Sequence, residues 1–191
     1  MKKLRRKIVF GVLLSAFVVF LLTIFIYGLM MNSQITRRAD SITGLIDRYN
    51  GNFPPPKEYE KLDQSEQIRL YNYDEESPYR LRFFIVYTDS EGNMSADTDH
   101  IAAVDKDTAI SMASGVINVG EECGYYNDYR FRVSESDASV IFLDVSDDLD
   151  SLWILLGALS LIAVFFMLMI TVVFFFLSRR IVRPFEENSR M

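Results

Sequence analysis

The stretch YRLRFFIVYT, Tyr79–Thr88, decides the fold. Successive side chains of a strand point to opposite faces, so Leu81, Phe83, Ile85 and Tyr87 share one face of this segment. Phe84 and Val86 make the other face partly buried too, which predicts a strand covered on both sides. DSEGN, Asp89–Asn93, has the residues of a hairpin loop, and MSADTDHIAAV, Met94–Val104, reads as the returning strand. Asp105 or Asp107 then caps a helix. Its Ala109, Ile110, Ala113, Val116 and Ile117 form one apolar stripe, and Gly120 suits its stop. Two strands follow. YNDYRFRV, Tyr126–Val133, alternates Tyr129, Phe131 and Val133 with Arg130 and Arg132, whereas ASVIFLDV, Ala138–Val145, is apolar on both faces.

Outward from this centre, two segments carry no charge, Ile8–Thr36 and Ser151–Ser178. A helix crosses the hydrocarbon of a bilayer in about 20 apolar residues. At about 1.5 Å per residue, residues 8–31 and 151–178 extend roughly 36 and 42 Å, enough for two spans. The start MKKLRRK fits a signal peptide, but the apolar run is longer than a signal core and no A-x-A site follows. A retained anchor is the reading. The first helix continues beyond the span, because Ile35, Ala39, Ile42, Ile46 and Tyr49 keep one apolar stripe to about Arg48. Asn50-Gly51 and three prolines then end it. A short helix near Tyr59–Leu70 is a further expectation. SDDLD, Ser146–Asp150, places carboxylates at the N-terminus of the second span, where a helix favours them.

Five basic residues, Lys2, Lys3, Arg5, Arg6 and Lys7, precede the first span, and Arg179, Arg180 and Arg183 follow the second. Basic flanks at both outer ends put both termini in the cytoplasm of a multi-pass plasma-membrane protein. The intervening region is then extracytoplasmic. Residues 37–150 hold 11 Lys+Arg and 24 Asp+Glu, a net −13, which argues against nucleic acid as a partner. The sequence therefore divides into a basic N-terminus (1–7), a first span (8–31), an outside α+β domain (32–150), a second span (151–178) and the start of a cytoplasmic linker (179–191). Pro184, followed by Glu186 and Glu187, reads as the first turn of a fresh helix.

Chemistry is sparsely represented. The single cysteine, Cys123, excludes an intrachain disulfide. With one histidine and no G-x-S-x-G, no nucleophile has an evident base. Asp97, Asp99 and His100, with Glu121 and Glu122, were they to converge, would make a metal cluster, but on a strand His100 points away from the two aspartates. A solvated strand end is the plainer reading. Tyr71, Tyr73, Tyr79, Tyr125, Tyr126 and Tyr129 suit either a small-ligand pocket or simple packing. Gly11 and Ser15 form a small-xxx-small pair that lets helices approach.

The ordered set RFFIVYTDSEGNMSADTDHIAAVDKDTAISMASGV (82–116), GYYNDYRFRV (124–133) and SVIFLDVSDDL (139–149) resembles the extracytoplasmic region of Gram-positive sensor histidine kinases. SRRIVRPFEENSRM (178–191) is similar to the stretch that leads, in those proteins, into the dimerisation helix. The resemblance implies a PAS-like antiparallel sheet with helices, a homodimer in the lipid bilayer, and a kinase core beyond Met191. That core would use ATP and Mg and pass its phosphoryl group to a response regulator. In this chain the phosphoacceptor histidine, the asparagine box and the glycine-rich lid motifs are absent, so no cofactor and no catalytic or metal residue is assigned to it. The expectation is the sensory input module of a two-component kinase, with Arg179, Arg180, Arg183 and Pro184 as the signal-transmission junction. The alternative is a complete two-span envelope protein whose outside domain binds a protein or a cell-wall component.

Overall fold

Residues 2–53, 76–134 and 139–187 are described by a computed structural model. In chain order they form α1 (Lys2–Arg48), α2 (Ser77–Arg80), β1 (Phe83–Thr88), β2 (Met94–Asp97), α3 (Lys106–Val119), β3 (Cys123–Tyr126), β4 (Tyr129–Ser134), β5 (Ser139–Asp144) and α4 (Ser146–Glu187). Two compact units result, one of residues 32–150 and the other of residues 1–31 with 151–191.

In the first unit the described strands make one antiparallel sheet in the order β2-β1-β5-β4-β3. The central pair sets Phe84 opposite Phe142 and Ile85 opposite Ile141, and β4 adds Phe131 and Arg132 to those same rows. Residues opposite one another in an antiparallel ladder share a face. One face therefore carries Phe84, Val86, Phe131, Val140 and Phe142, with the Phe84 and Phe142 rings stacked at 4.6 Å. The other carries Phe83, Ile85, Ile141 and Leu143, continued on β4 by Arg130 and Arg132.

Helix α3 covers the phenylalanine face. The Asp105 carboxylate accepts the Thr108 N–H at 2.7 Å to start it, and Gly120 stops it with φ 74°, a left-handed backbone that glycine adopts without strain. Its buried residues are Ala109, Met112, Ala113 and Val116, while Ile117 is 43% exposed. The small Ala109 and Ala113 are fully buried; centred on them, the contact face takes in Met112 and leaves Ile117 outside.

Residues 32–48 of α1 cover the other face, with Ile35, Ala39, Ile42, Leu45 and Ile46 buried. Here the sequence pattern misleads. Arg130 and Arg132 read as the solvent side of β4, yet they lie beneath α1. Arg130 Nε donates to Asp40 Oδ1 at 2.7 Å and its Nη2 to Oδ2 at 3.2 Å. Its guanidinium also lies 4.8 Å from the Tyr125 ring centroid. Burial opposes the Arg130 charge, but the Asp40 contacts outweigh it and hold the pKa above the ordinary arginine value. Arg132 donates to the Asp40 carbonyl and to the buried Thr43 hydroxyl. Tyr125 reaches the Thr36 hydroxyl at 2.8 Å.

Three local expectations change. Strand β2 stops at Asp97, whose carboxylate accepts the Asp99 N–H in a local turn that competes with the ladder. Ile101 and Val104 instead join the core from the loop that follows. Strand β3 has no strand-like pattern in the sequence; a Cβ at Gly124 would fall 2.7 Å from the Phe131 ring, so the glycine that reads as a loop lets that ring lie across the ladder. Tyr79 belongs to the short helix α2, started by a proline, and not to β1. The helix expected near Tyr59–Leu70 lies outside the described residues.

In the second unit, α1 and α4 are both long and apolar enough to cross a membrane, and their most apolar stretches are not buried. Phe10, Phe25, Leu161 and Phe176 are among the exposed apolar side chains, which suit hydrocarbon better than water. The two helices meet at Phe20 and Phe166, 6.3 Å apart, and at Gly28, where a Cβ would lie 3.7 Å from the Leu156 methyls. Gly11 has open space around it. Contrary to expectation, no fresh helix begins at Pro184: the backbone of α4 is helical from Ser146 to Glu187. Residues 177–183 contain no glycine or asparagine to stop it, and proline has a helical φ at the loss of one N–H.

Two outcomes follow from this packing. Asp40→Ala strands a buried guanidinium and is expected to cost about 3 kcal/mol, whereas Asp40→Leu combined with Arg130→Met recovers most of it in denaturant unfolding. The carboxylates of Asp89, held by the side chain and backbone of Asn93, and of Asp105, held by Thr108, titrate below the ordinary aspartate range. A lowered folded-state pKa stabilises above the unfolded value and is lost as pH falls. Stability is therefore expected to decline below about pH 4, with a shallower decline in an Asp89→Asn, Asp105→Asn variant.

Candidate functional site: the sheet-to-helix junction

Strand β5 is the last strand in sequence but the middle strand of the sheet, and it ends at Asp144. Helix α4 begins at Ser146. Only Val145 separates them, and residues 146–150 form the start of the helix, as the SDDLD run leads one to expect.

Several groups fix this turn. Asp144 Oδ1 accepts the Ser146 N–H at 2.9 Å and its hydroxyl at 2.7 Å, which satisfies one of the free N–H groups that every helix N-terminus presents. Arg82, just before β1, forks across the junction: Nε lies 3.1 Å from Asp144 Oδ2 and Nη2 lies 2.8 Å from Asp147 Oδ2. Its pKa is raised, first by the hydrogen bond to Asp147 and then by the charge of Asp144. The Asp144 N–H donates to the Arg82 carbonyl and the Val145 N–H to the Asp128 carbonyl. Arg38 of α1 lies 3.6 Å from Asp148. Burial, and then Asp144, raise the pKa of the neighbouring Tyr129 phenol.

The first turn of α4 is thus tied to the segment before β1, to the β3–β4 turn and to α1. Each tie is weak singly, because Arg82 and Arg38 are nearly half exposed and such pairs contribute at most about 1 kcal/mol. Together they fix a direction. Asp147 and Asp148 also sit in the first turn, where the helix dipole favours negative charge.

Arg179, Arg180, Arg183 and Pro184 lie near the other end of α4, in the other unit, and the structure describes only their helical backbone. Arg82 and Asp144 were not read as site residues. The available signal was the arginine preceding the central strand and the aspartate ending it, two charges flanking apolar segments that pair. Of the tyrosines, Tyr126 packs over Gly115 and Tyr129 meets Phe84 edge-on, whereas Tyr79 is exposed. Tyr71 and Tyr73 lie outside the described residues. His100 stacks on Phe83 at 4.4 Å, and among the described residues no three His, Cys, Asp or Glu side chains gather to hold a metal ion. Cys123 is exposed. No family model matches the chain, and no curated protein or solved structure matches it either.

Arg82→Ala is expected to cost no more than about 1 kcal/mol of stability. Its specific consequence is faster hydrogen exchange of the Val145–Leu149 amides relative to those of β1, measured on the whole chain.

Proposed function

We propose that this chain is the membrane-anchored input module of a two-component sensor histidine kinase, with residues 32–150 outside the cell and both termini in the cytoplasm. The observation that carries the proposal is the absence of slack between β5 and α4. A rearrangement of the sheet would displace the first turn of a helix that is itself long and apolar enough to span the membrane. The five-stranded antiparallel sheet with helices on both faces supports the PAS-like expectation, as the unbroken α4 supports transmission toward Arg179, Arg180, Arg183 and Pro184.

The energy required is modest. A tenfold difference in affinity between two arrangements of the outside domain supplies about 1.4 kcal/mol of bias, and near-complete switching takes about 5.5. In this reading the kinase core beyond Met191 binds ATP and Mg and phosphorylates a response regulator, and two copies of the chain pair in the bilayer.

The coding sequence after Met191 tests the assignment. A helix with a His-Glu pair followed by an ATP-binding domain is the expected finding; a stop codon overturns it in favour of a two-span envelope-binding protein. In the full protein, four flexible residues inserted after Val145 are expected to abolish stimulus-dependent phosphorylation. Unchanged signalling would remove the case for rigid transmission.

A further inference from the structure

Helix α1 does not cover its face of the sheet completely. Beyond Arg48 the chain turns at Asn50 and Gly51, with φ 51° and 84°, and a cavity of about 240 Å³ opens between this turn and strands β1 and β5. Its sheet wall is two cross-strand pairs, Ile85 with Ile141 and Tyr87 with Ser139, and Asn50, exposed on the turn, also lines it. Small residues keep the space open. A Cβ at Gly51 would fall 2.6 Å from the Tyr87 hydroxyl and 3.1 Å from Ile85 Cδ1, so a side chain there would intrude. On the sheet side a serine stands at position 139, where the rest of the buried run of β5, Val140–Leu143, is apolar and larger.

Ser139 is the residue without an explanation. It is 4% exposed, and its hydroxyl makes no hydrogen bond among the described residues. Nor is that hydroxyl sealed in, a condition that among the described residues belongs to Asp47 Oδ1. The surface it keeps therefore opens on the cavity that Ser139 lines. Buried polar groups are almost always satisfied, and a valine here would suit the ladder without burying a hydroxyl. The Asn50 carboxamide likewise makes no hydrogen bond among the described residues. Two neutral groups with free hydrogen-bonding capacity thus border one apolar wall.

We infer that this cavity is a binding site for a compact uncharged molecule, a short hydrocarbon with one head, such as a carboxamide, that both donates and accepts hydrogen bonds. The Ser139 hydroxyl and the Asn50 carboxamide can each do both, while the hydrocarbon lies against Ile85 and Ile141. Charge of either sign is disfavoured. The lining offers an anion no cationic side chain and includes the acidic Asp47. A cation finds no set of acceptors, because Tyr87 already has a partner and the bare Asp47 oxygen is sealed off. The volume equals roughly eight waters, which limits the ligand to a few carbons. The assignment goes beyond the kinase reading and does not depend on it, because binding is measured in this chain alone.

Methyl NMR on the whole isoleucine-labelled chain in detergent tests the site, with propionamide as probe and the similarly sized propionate and n-propylammonium as controls. The amide is expected to shift the Ile85 and Ile141 methyls saturably, with about millimolar affinity, and to show nuclear Overhauser contacts to them; the charged controls leave them unmoved. Ser139→Ala should weaken binding about fivefold without lowering the melting temperature, since the hydroxyl it removes is unpaired. Ser139→Val, which fills the space, should abolish binding. An equal response to either charged control, unchanged affinity in both Ser139 variants, shifts confined to other methyls, or no saturable response, as for a cavity that holds only water, would each overturn the inference.

Discussion

The central pair of strands, β1 and β5, is apolar on both faces. Phe83, Phe84, Ile85, Val86, Val140, Ile141, Phe142 and Leu143 are all buried. Apolar surface contributes roughly 25 cal/mol per Å² removed from water, so neither face of this pair can be left wet. Two helical covers are therefore obligatory. One comes from α3, within the run of strands. The other comes from residues 32–48, the continuation of an apolar segment that would otherwise read as an anchor and nothing more.

That second cover lies partly over charge, and the chemistry of α1 reflects it. Arg130 and Arg132 project from β4 into the interface, and Asp40, Thr43 and Thr36 stand at successive turns of α1 to meet them and Tyr125. A helix of apolar residues alone would leave one buried and one half-buried guanidinium group without these acceptors. The polar row beside the stripe of Ile35, Ala39, Ile42 and Ile46 orients the helix on the sheet. Apolar burial alone sets no such direction.

Topology gives the junction its meaning. Because β5 is last in sequence and central in the sheet, a strand paired on both sides is the one that continues into α4. An edge strand could shift at the cost of one ladder; β5 is bound on both sides, by β1 and by β4. Arg82, Asp144 and Asp147 then set the exit direction of the chain with partly exposed ion pairs. Such pairs are individually weak, so it is their combination that holds the turn.

Much of this was legible in the residues themselves. The two apolar helices, the end of α1 at Arg48, the hairpin at Asp89–Asn93, an aspartate cap at 105 or 107, the Gly120 stop and the identity of β1, β4 and β5 all rest on local signals, namely periodicity, turn residues and caps. What failed depended on distant partners. Gly124 reads as a loop until Phe131 is placed across from it, and Arg130 reads as solvent-facing until α1 is laid over it. The fork of Arg82 joins residues more than sixty positions apart, and the buried Asp47 oxygen without a hydrogen-bond partner is visible only in the folded chain. By itself the sequence determined the long helices, the main strands and their apolar residues, because those follow from spacing along one chain. Only the tertiary structure decided which charges are buried, which are paired and which is left without a partner, because desolvation and hydrogen bonding depend on what the rest of the fold brings within a few ångströms.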